Sequence, residues 1–126
     1  MDHDHNLAEY IIEQASDAFI YADIHGNIQR WNSAACQLFG FSKTEVLGKN
    51  MNLIIPERAR KAHWDGFNMA IQSGKLQLSG KPTLTRILHK DPDRRLYVEM
   101  SFALIKNEIG KVLGSVAIAR EVERKE

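Results

Sequence analysis

His63 is the residue of this chain that most invites chemistry. It lies in Pro56-Glu57-Arg58-Ala59-Arg60-Lys61-Ala62-His63-Trp64-Asp65-Gly66-Phe67, where Ala59, Ala62, His63, Gly66, Phe67 and Ala70 recur at helical spacing. One imidazole therefore stands on the inward stripe of a helix that Pro56 opens. A neutral imidazole nitrogen in that place either hydrogen-bonds inside a packed core or ligates a transition metal. Its neighbours Ala59, Ala62, Gly66 and Ala70 carry almost no bulk, so a flat ligand can approach the helix closely. A mid-helix glycine costs about 1 kcal/mol relative to alanine, and close ligand approach would give Gly66 its reason.

Other chemistries find little support. Asp17, Asp23, Glu45 and Asp65 form no carboxylate pair at a readable spacing, Ser33 has no His/Asp partners, and the glycines form no phosphate-cradling loop, so an enzyme is not expected. Cys36 is the single cysteine, which excludes an internal disulfide and any multi-cysteine metal site. The 17 basic and 16 acidic residues nearly cancel to +1, giving no broad attraction to nucleic acid or to an anionic membrane. Arg58, Arg60 and Lys61 read as a short solvated edge. No apolar run reaches the roughly 20 residues of a membrane span, and the acidic, His-rich start is unlike a signal peptide, so a cytoplasmic protein is expected.

At 126 residues with 44% hydrophobic content the chain suits one domain, able to bury about two thirds of its unfolded surface. Leu7, Tyr10, Ile11, Gln14, Ala15 and Ala18 predict an amphipathic helix from Leu7 to about Ser16, too short to stand alone, which must cap the domain or pair with a copy of itself. Residues 1–17 are thus a tail and cap helix, and 18–123 the domain proper. Ala18 to Asp23 and Gly26 to Trp31 flank the turn Asp23-Ile24-His25-Gly26 as a β-hairpin. Asn32 or Ser33 caps a short helix ended by Gly40, and Ser42 with Glu45 forms a capping box for the next. The helix opened by Pro56 runs to about Ser73, where Gly74 stops it, and Lys75 to Pro82 is a polar connection. Strands are expected over Thr83 to His89, Arg94 to Lys106 and Val112 to Val122. Two strands, several helices and three antiparallel strands give an α+β domain with one sheet face covered by helices.

The succession Asp23-Ile24-His25-Gly26-Asn27-Ile28, Trp31-Asn32-Ser33-Ala34, Leu38-Phe39-Gly40-Phe41-Ser42, Glu45-Val46-Leu47-Gly48 and Arg120-Glu121-Val122 resembles the PAS sensory-domain family over about residues 8 to 123. The resemblance implies a five-stranded antiparallel sheet in the order 2-1-5-4-3, with short helices and one longer helix on one face. It also implies a sensor that signals to an effector domain or partner protein, as a homodimer through the N-terminal helix.

The resemblance offers three cofactor chemistries. Light-sensing flavin PAS domains carry a reactive cysteine in a Gly-x-Asn-Cys run, whereas this chain has Gly48-Lys49-Asn50-Met51, and Cys36 lies on another helix. Oxygen-sensing PAS domains place a haem-ligating histidine on the long helix in a Pro-x-x-x-Arg-x-x-His spacing, which Pro56, Arg60 and His63 match. That likeness implies haem b ligated by His63 as metal ligand, with Ala59, Gly66 and Phe67 beside it and Met100 and Phe102 as an apolar wall on the distal side. Thr83 stands where an arginine often contacts bound oxygen, with Arg86 its neighbour; Trp64 is an extra residue, and Lys75, Lys81, Arg86 or His89 would partner the propionates. The third chemistry is a small apolar ligand or none, in a pocket lined by Phe19, Ile28, Phe41, Phe67, Met100, Phe102 and Val116.

Overall fold

The computed structural model describes residues 3–76 and 81–123, with side chains from residue 6 onward. Alternation sets its first strand: in β1 (Ala18–Asp23) every second residue, Ala18, Ile20 and Ala22, is buried, because successive side chains leave a strand on opposite faces. The chain then reverses into β2 (Ile28–Trp31). Asp23 makes that turn: its Oδ1 accepts from the backbone N–H groups of His25 at 2.9 Å and Asn27 at 3.0 Å. Gly26 closes it at φ 81°, a conformation an L side chain resists.

Of the two capping candidates, Asn32 takes the position before α2 (Ser33–Phe39), which ends at Gly40. Ser42 and Glu45 bond reciprocally at the start of α3 (Lys43–Val46), as their spacing predicts. The long helix begins later than Pro56 suggests. Pro56 precedes one 3₁₀ turn over Glu57–Ala59, and α4 proper runs Arg60–Ser73 before Gly74 stops it at φ 71°. The delay has a visible partner: the Arg60 guanidinium donates to the carbonyls of Ile55 and Asn52, both at 3.1 Å, and so ties the new helix to the chain before it. Part of the Lys75 to Pro82 connection lies outside the described residues. Strands β3 (Thr83–Ile87), β4 (Leu96–Lys106) and β5 (Val112–Glu121) complete an antiparallel sheet of order β2-β1-β5-β4-β3.

β1 and β5, near opposite ends of the sequence, pair at the centre of this sheet from Ala18↔Ala119 to Asp23↔Gly114. Arg120 on β5 also donates to Asp17 at 2.9 Å, just before β1. Gly114 permits the close pairing, since a Cβ there would lie 2.1 Å from the Ala22 carbonyl. The helix-covered face carries Ile20, Leu96, Val98, Met100, Ala117 and Ala119, and Phe39, Ile28 and Val46 fill the space above it. Trp31 packs on Phe39 with ring centroids 5.1 Å apart, and its indole N–H donates to the Phe41 carbonyl.

The N-terminal helix α1 (His3–Gln14) starts earlier and ends sooner than its apolar stripe predicts. Its polar side docks: Glu9 pairs with Arg30 at 3.2 Å and Glu13 with Lys43. Leu7, Tyr10 and Ile11, the stripe itself, remain more than half exposed at 55%, 61% and 59%. Asn32 fixes the end of this helix. It is buried, and its amide group donates to the carbonyls of Ile12 and Asp17 while accepting from the N–H groups of Phe19 and Ala35. Four bonds through one side chain join α1, β1 and α2 and satisfy the buried amide.

Candidate functional site

Between α4 and the helix-covered face of the sheet lies a cavity of about 300 Å³. Helix α4 supplies Ala62, His63, Gly66, Phe67, Met69 and Ala70, while the strands supply Ile20, Phe102, Leu104, Ser115 and Ala117. Ala62, Gly66 and Met69 are exposed, so this side of the helix forms a mouth as well as a wall, with Lys75 and Leu76 beside it. Behind it is a smaller chamber of about 110 Å³, bounded by Ile54, Ile55, Pro56, Ala59, Thr85, Arg86, Ile87 and Met100. The two share Ile20, Met51, His63, Phe102 and Ala117.

His63 is thus at the partition. Its ring stacks on Phe67, one helical turn on, with centroids 6.0 Å apart and planes 22° apart, and meets the edge of Trp64 at 4.6 Å. Its Nε2 is sealed from solvent and has no hydrogen-bond partner among the described residues. Burial holds the imidazole below the ordinary histidine pKa, because a charged ring would lose its hydration here, so the ring is neutral near pH 7. A buried polar nitrogen without a partner is uncommon in a folded protein, and this one faces apolar space. That is the donor chemistry a haem iron requires: a neutral imidazole nitrogen, unspent, on a helix. In this respect the residues fit the group.

The remaining expected residues divide. Ala59 borders the inner chamber, Gly66 and Phe67 the outer cavity, Met100 the inner chamber, and Phe102 both. Thr83 borders neither; it pairs with Met100 across the sheet and its hydroxyl donates to the Met100 carbonyl at 3.2 Å. Thr85, two residues on, takes the place beside the chamber. Arg86 borders the chamber from β3, but it pairs with Tyr97 and therefore shares that residue's sheet face, away from the neighbouring Leu96 and Val98. Of the basic candidates Lys75 is at the cavity mouth, His89 packs over Gly40, and Lys81 is exposed.

The alternative lining needs correction as well. Phe19 and Val116 alternate with the inward Ile20 and Ala117 and so belong to the opposite sheet face. Ile28 is wholly buried in the core, and Phe41 packs against that core. Phe67, Met100 and Phe102 are the members that reach the cavities. Sequence reasoning missed Ile20, Met51 and Ala117 as cavity walls. Ile20 and Ala117 were findable from strand alternation, whereas Met51 sits on a 3₁₀ turn over Met51–Ile54 that has no periodic signal.

Trp64, the extra residue beside His63, turns away from the cavity. Its indole N–H donates to Asn52 Oδ1 at 2.7 Å, and its ring lies so close to Gly26 that a Cβ there would come within 2.2 Å. It anchors α4 to the β1–β2 turn. Cys36 is half-buried on α2 and borders neither cavity.

A family model for the PAS fold matches residues 7–122. The chain belongs to the PAS family. This PAS domain is similar to sensor protein FixL of Bradyrhizobium diazoefficiens, 43% identical over 53 residues that cover 42% of the chain and 10% of FixL. It is also similar to oxygen sensor protein DosP of Escherichia coli, 26% identical over 95 residues that cover 75% of the chain and 12% of DosP. The PAS domain therefore spans about a tenth of the length of these curated relatives. Among solved structures, the PAS domain of a Colwellia psychrerythraea protein aligns with a TM-score of 0.79 at 21% identity, covering 94% of this chain and 96% of that one. An RNA-binding light-oxygen-voltage receptor aligns at 0.75 and 21% identity, covering 93% of this chain and 33% of that one. At these identities the structural likeness is one of fold. The expected strand order and helix-covered sheet face are those observed. No helix among the described residues is long and apolar enough to cross a membrane.

Proposed function

We propose that this sensory domain binds haem b through Nε2 of His63 and responds to a diatomic gas or a change of redox state. The observation that carries this reading is the unpartnered, buried Nε2 standing in apolar space between two cavities. The similarity to an oxygen sensor over 75% of the chain supports it. When bound, haem supplies an iron centre that takes a gas molecule or changes oxidation state. His63 presents the ligating nitrogen, and burial keeps that nitrogen unprotonated at neutral pH. Phe67 holds the imidazole by stacking. Ile20, Phe102, Leu104 and Ala117 exclude water, and Lys75 at the mouth offers a cation to a propionate. In titrations with haem, an intense Soret band is expected for the wild-type chain and its loss or displacement for His63→Ala. Identical spectra for the two proteins would defeat the assignment.

The output is proposed to run through α1 to a second copy of the chain, and from there to an effector domain or partner protein. Leu7, Tyr10 and Ile11 support this, since they form an apolar stripe that the domain leaves uncovered while ion pairs hold the other side of the helix. Ile11→Asp is expected to convert a dimer to monomer in sedimentation experiments; an unchanged mass would remove α1 from the interface.

A small organic ligand is the second reading, favoured by size. A cavity of about 300 Å³ falls at the lower end of the roughly 300–1,000 Å³ common for small-molecule sites, and His63 would be its polar anchor. Native mass spectrometry of the purified chain distinguishes the two by the mass retained.

A further inference from the structure

No side chain from Asn6 to Gln14 on α1 is buried, and none belongs to the hydrophobic core. Among the described residues three polar attachments hold the helix instead. The Glu9 carboxylate meets the Arg30 guanidinium at 3.2 Å, Glu13 meets the Lys43 ammonium, and the Asn32 amide donates to the Ile12 carbonyl at 2.8 Å. Both ion pairs are open to solvent, their four side chains being 40–49% exposed. A groove of about 410 Å³ lies between the helix and the domain, bordered by Glu9 and Glu13 on one side and by Gln29, Arg30 and Lys43 on the other. Water and small ions fit a space of that size, since one water takes about 30 Å³.

Glu9 and Glu13 stand four residues apart, so both carboxylates lie on one face of α1, and like charges at that spacing destabilise a helix. A helix of 12 residues is also marginal in water by itself. Arg30 and Lys43 offset the repulsion, which makes docking and helix formation a single event. Exposed ion pairs are the contacts that salt weakens, because the screening length falls from about 30 Å at 0.01 M to about 3 Å at 1 M. Apolar burial, which salt does not screen, is slight here because Leu7, Tyr10 and Ile11 face away from the domain. We infer that α1 is a strap that rising ionic strength releases. At low salt it lies helical across the groove, and at high salt it detaches and frays. The bonds of Asn32 to Asp17, Phe19 and Ala35 remain, so release stops short of β1 and leaves the sheet as it is. The domain thereby gains a response to ionic strength that needs neither haem nor a second copy of the chain.

Hydrogen exchange at residues 6–15, followed by mass spectrometry at about 0.01 M and about 1 M potassium chloride, tests the strap. Exchange there is expected to quicken roughly 2- to 30-fold at high salt, the range that two exposed ion pairs can supply, while β4 is unchanged. Glu9→Gln combined with Glu13→Gln should exchange fast at both salt concentrations. Glu9→Arg should lose protection at low salt, and adding Arg30→Glu should restore it. All four substitutions are at half-buried or exposed positions, so the variants are expected to fold. No salt response, an equal response in β4, a response that persists in the double glutamine variant, or a charge-swapped pair no better than Glu9→Arg alone would overturn the inference. Ile11→Asp should keep the salt response. Its loss there would assign the effect to a second copy on the apolar stripe and would equally overturn the strap, whereas a failed haem titration would leave it standing.

Discussion

Replacing Gly66 with alanine sets helix stability against ligand access at a single position. Gly66 lies inside α4 at an ordinary helical conformation, and a Cβ built there meets no atom within 4 Å. No clash opposes the methyl group. The helix should therefore gain the full difference in propensity, about 1 kcal/mol, which for a domain of this length raises the melting midpoint by about 4 °C. Gly66 also borders the outer cavity. A ligand seated against that side of α4 would meet the new methyl, and the cost of overpacking, about 1–3 kcal/mol, corresponds to roughly 5- to 150-fold weaker binding. The two effects have opposite signs in the same variant. Thermal melts of the free chain and haem titrations of Gly66→Ala measure both. Lower stability of the free chain would refute the claim that the space at Gly66 is open. Higher stability with unchanged affinity would refute the placement of the ligand beside it.

Two further substitutions probe how the site is held. Asn32→Ala strands two N–H groups and two carbonyls, and is expected to cost about 3 kcal/mol or more, with Asn32→Ser, which can still cap α2, intermediate in urea melts. Equal losses for the two variants would mean that the bonds to α1 and β1 contribute nothing. Gly26→Ala combines a φ of 81° with a Cβ 2.2 Å from the Trp64 ring, so a loss of about 2–4 kcal/mol is expected. Trp64→Leu in the same chain should recover part of it, and strict additivity in a double-mutant cycle would show that the indole does not press on the turn.

The fold was legible in the sequence because its signals are local. Asp23 and Gly26 announce the hairpin, Ser42 and Glu45 their capping box, and Gly40 and Gly74 the ends of helices, each within four residues of what it controls. Alternation along β4 likewise separates Leu96, Val98 and Met100 from Tyr97 and Glu99 without reference to any partner strand. What escaped was decided at long range. Asn32 reads as a helix cap, yet three of its four partners lie 13 to 20 residues away. The stripe on α1 has the period of a buried face, but Glu9 and Glu13 find bases on β2 and α3, and this turns the stripe outward. At the site, helical spacing put His63 and Phe67 together correctly. It could not tell Thr83 from Thr85, because a strand's position along its neighbour depends on a pairing that no short window contains.

The central pairing of β1 with β5 bears on how such a domain joins to others. Asp17 and Arg120, 103 positions apart in sequence, touch through their side chains at 2.9 Å, so the polypeptide enters and leaves the sheet at the same corner. A segment with adjacent ends can be inserted into a loop of another protein with little displacement of the host. For the same reason, chain segments attached upstream and downstream share an origin, and a rotation of either strand about that corner moves both attachments at once.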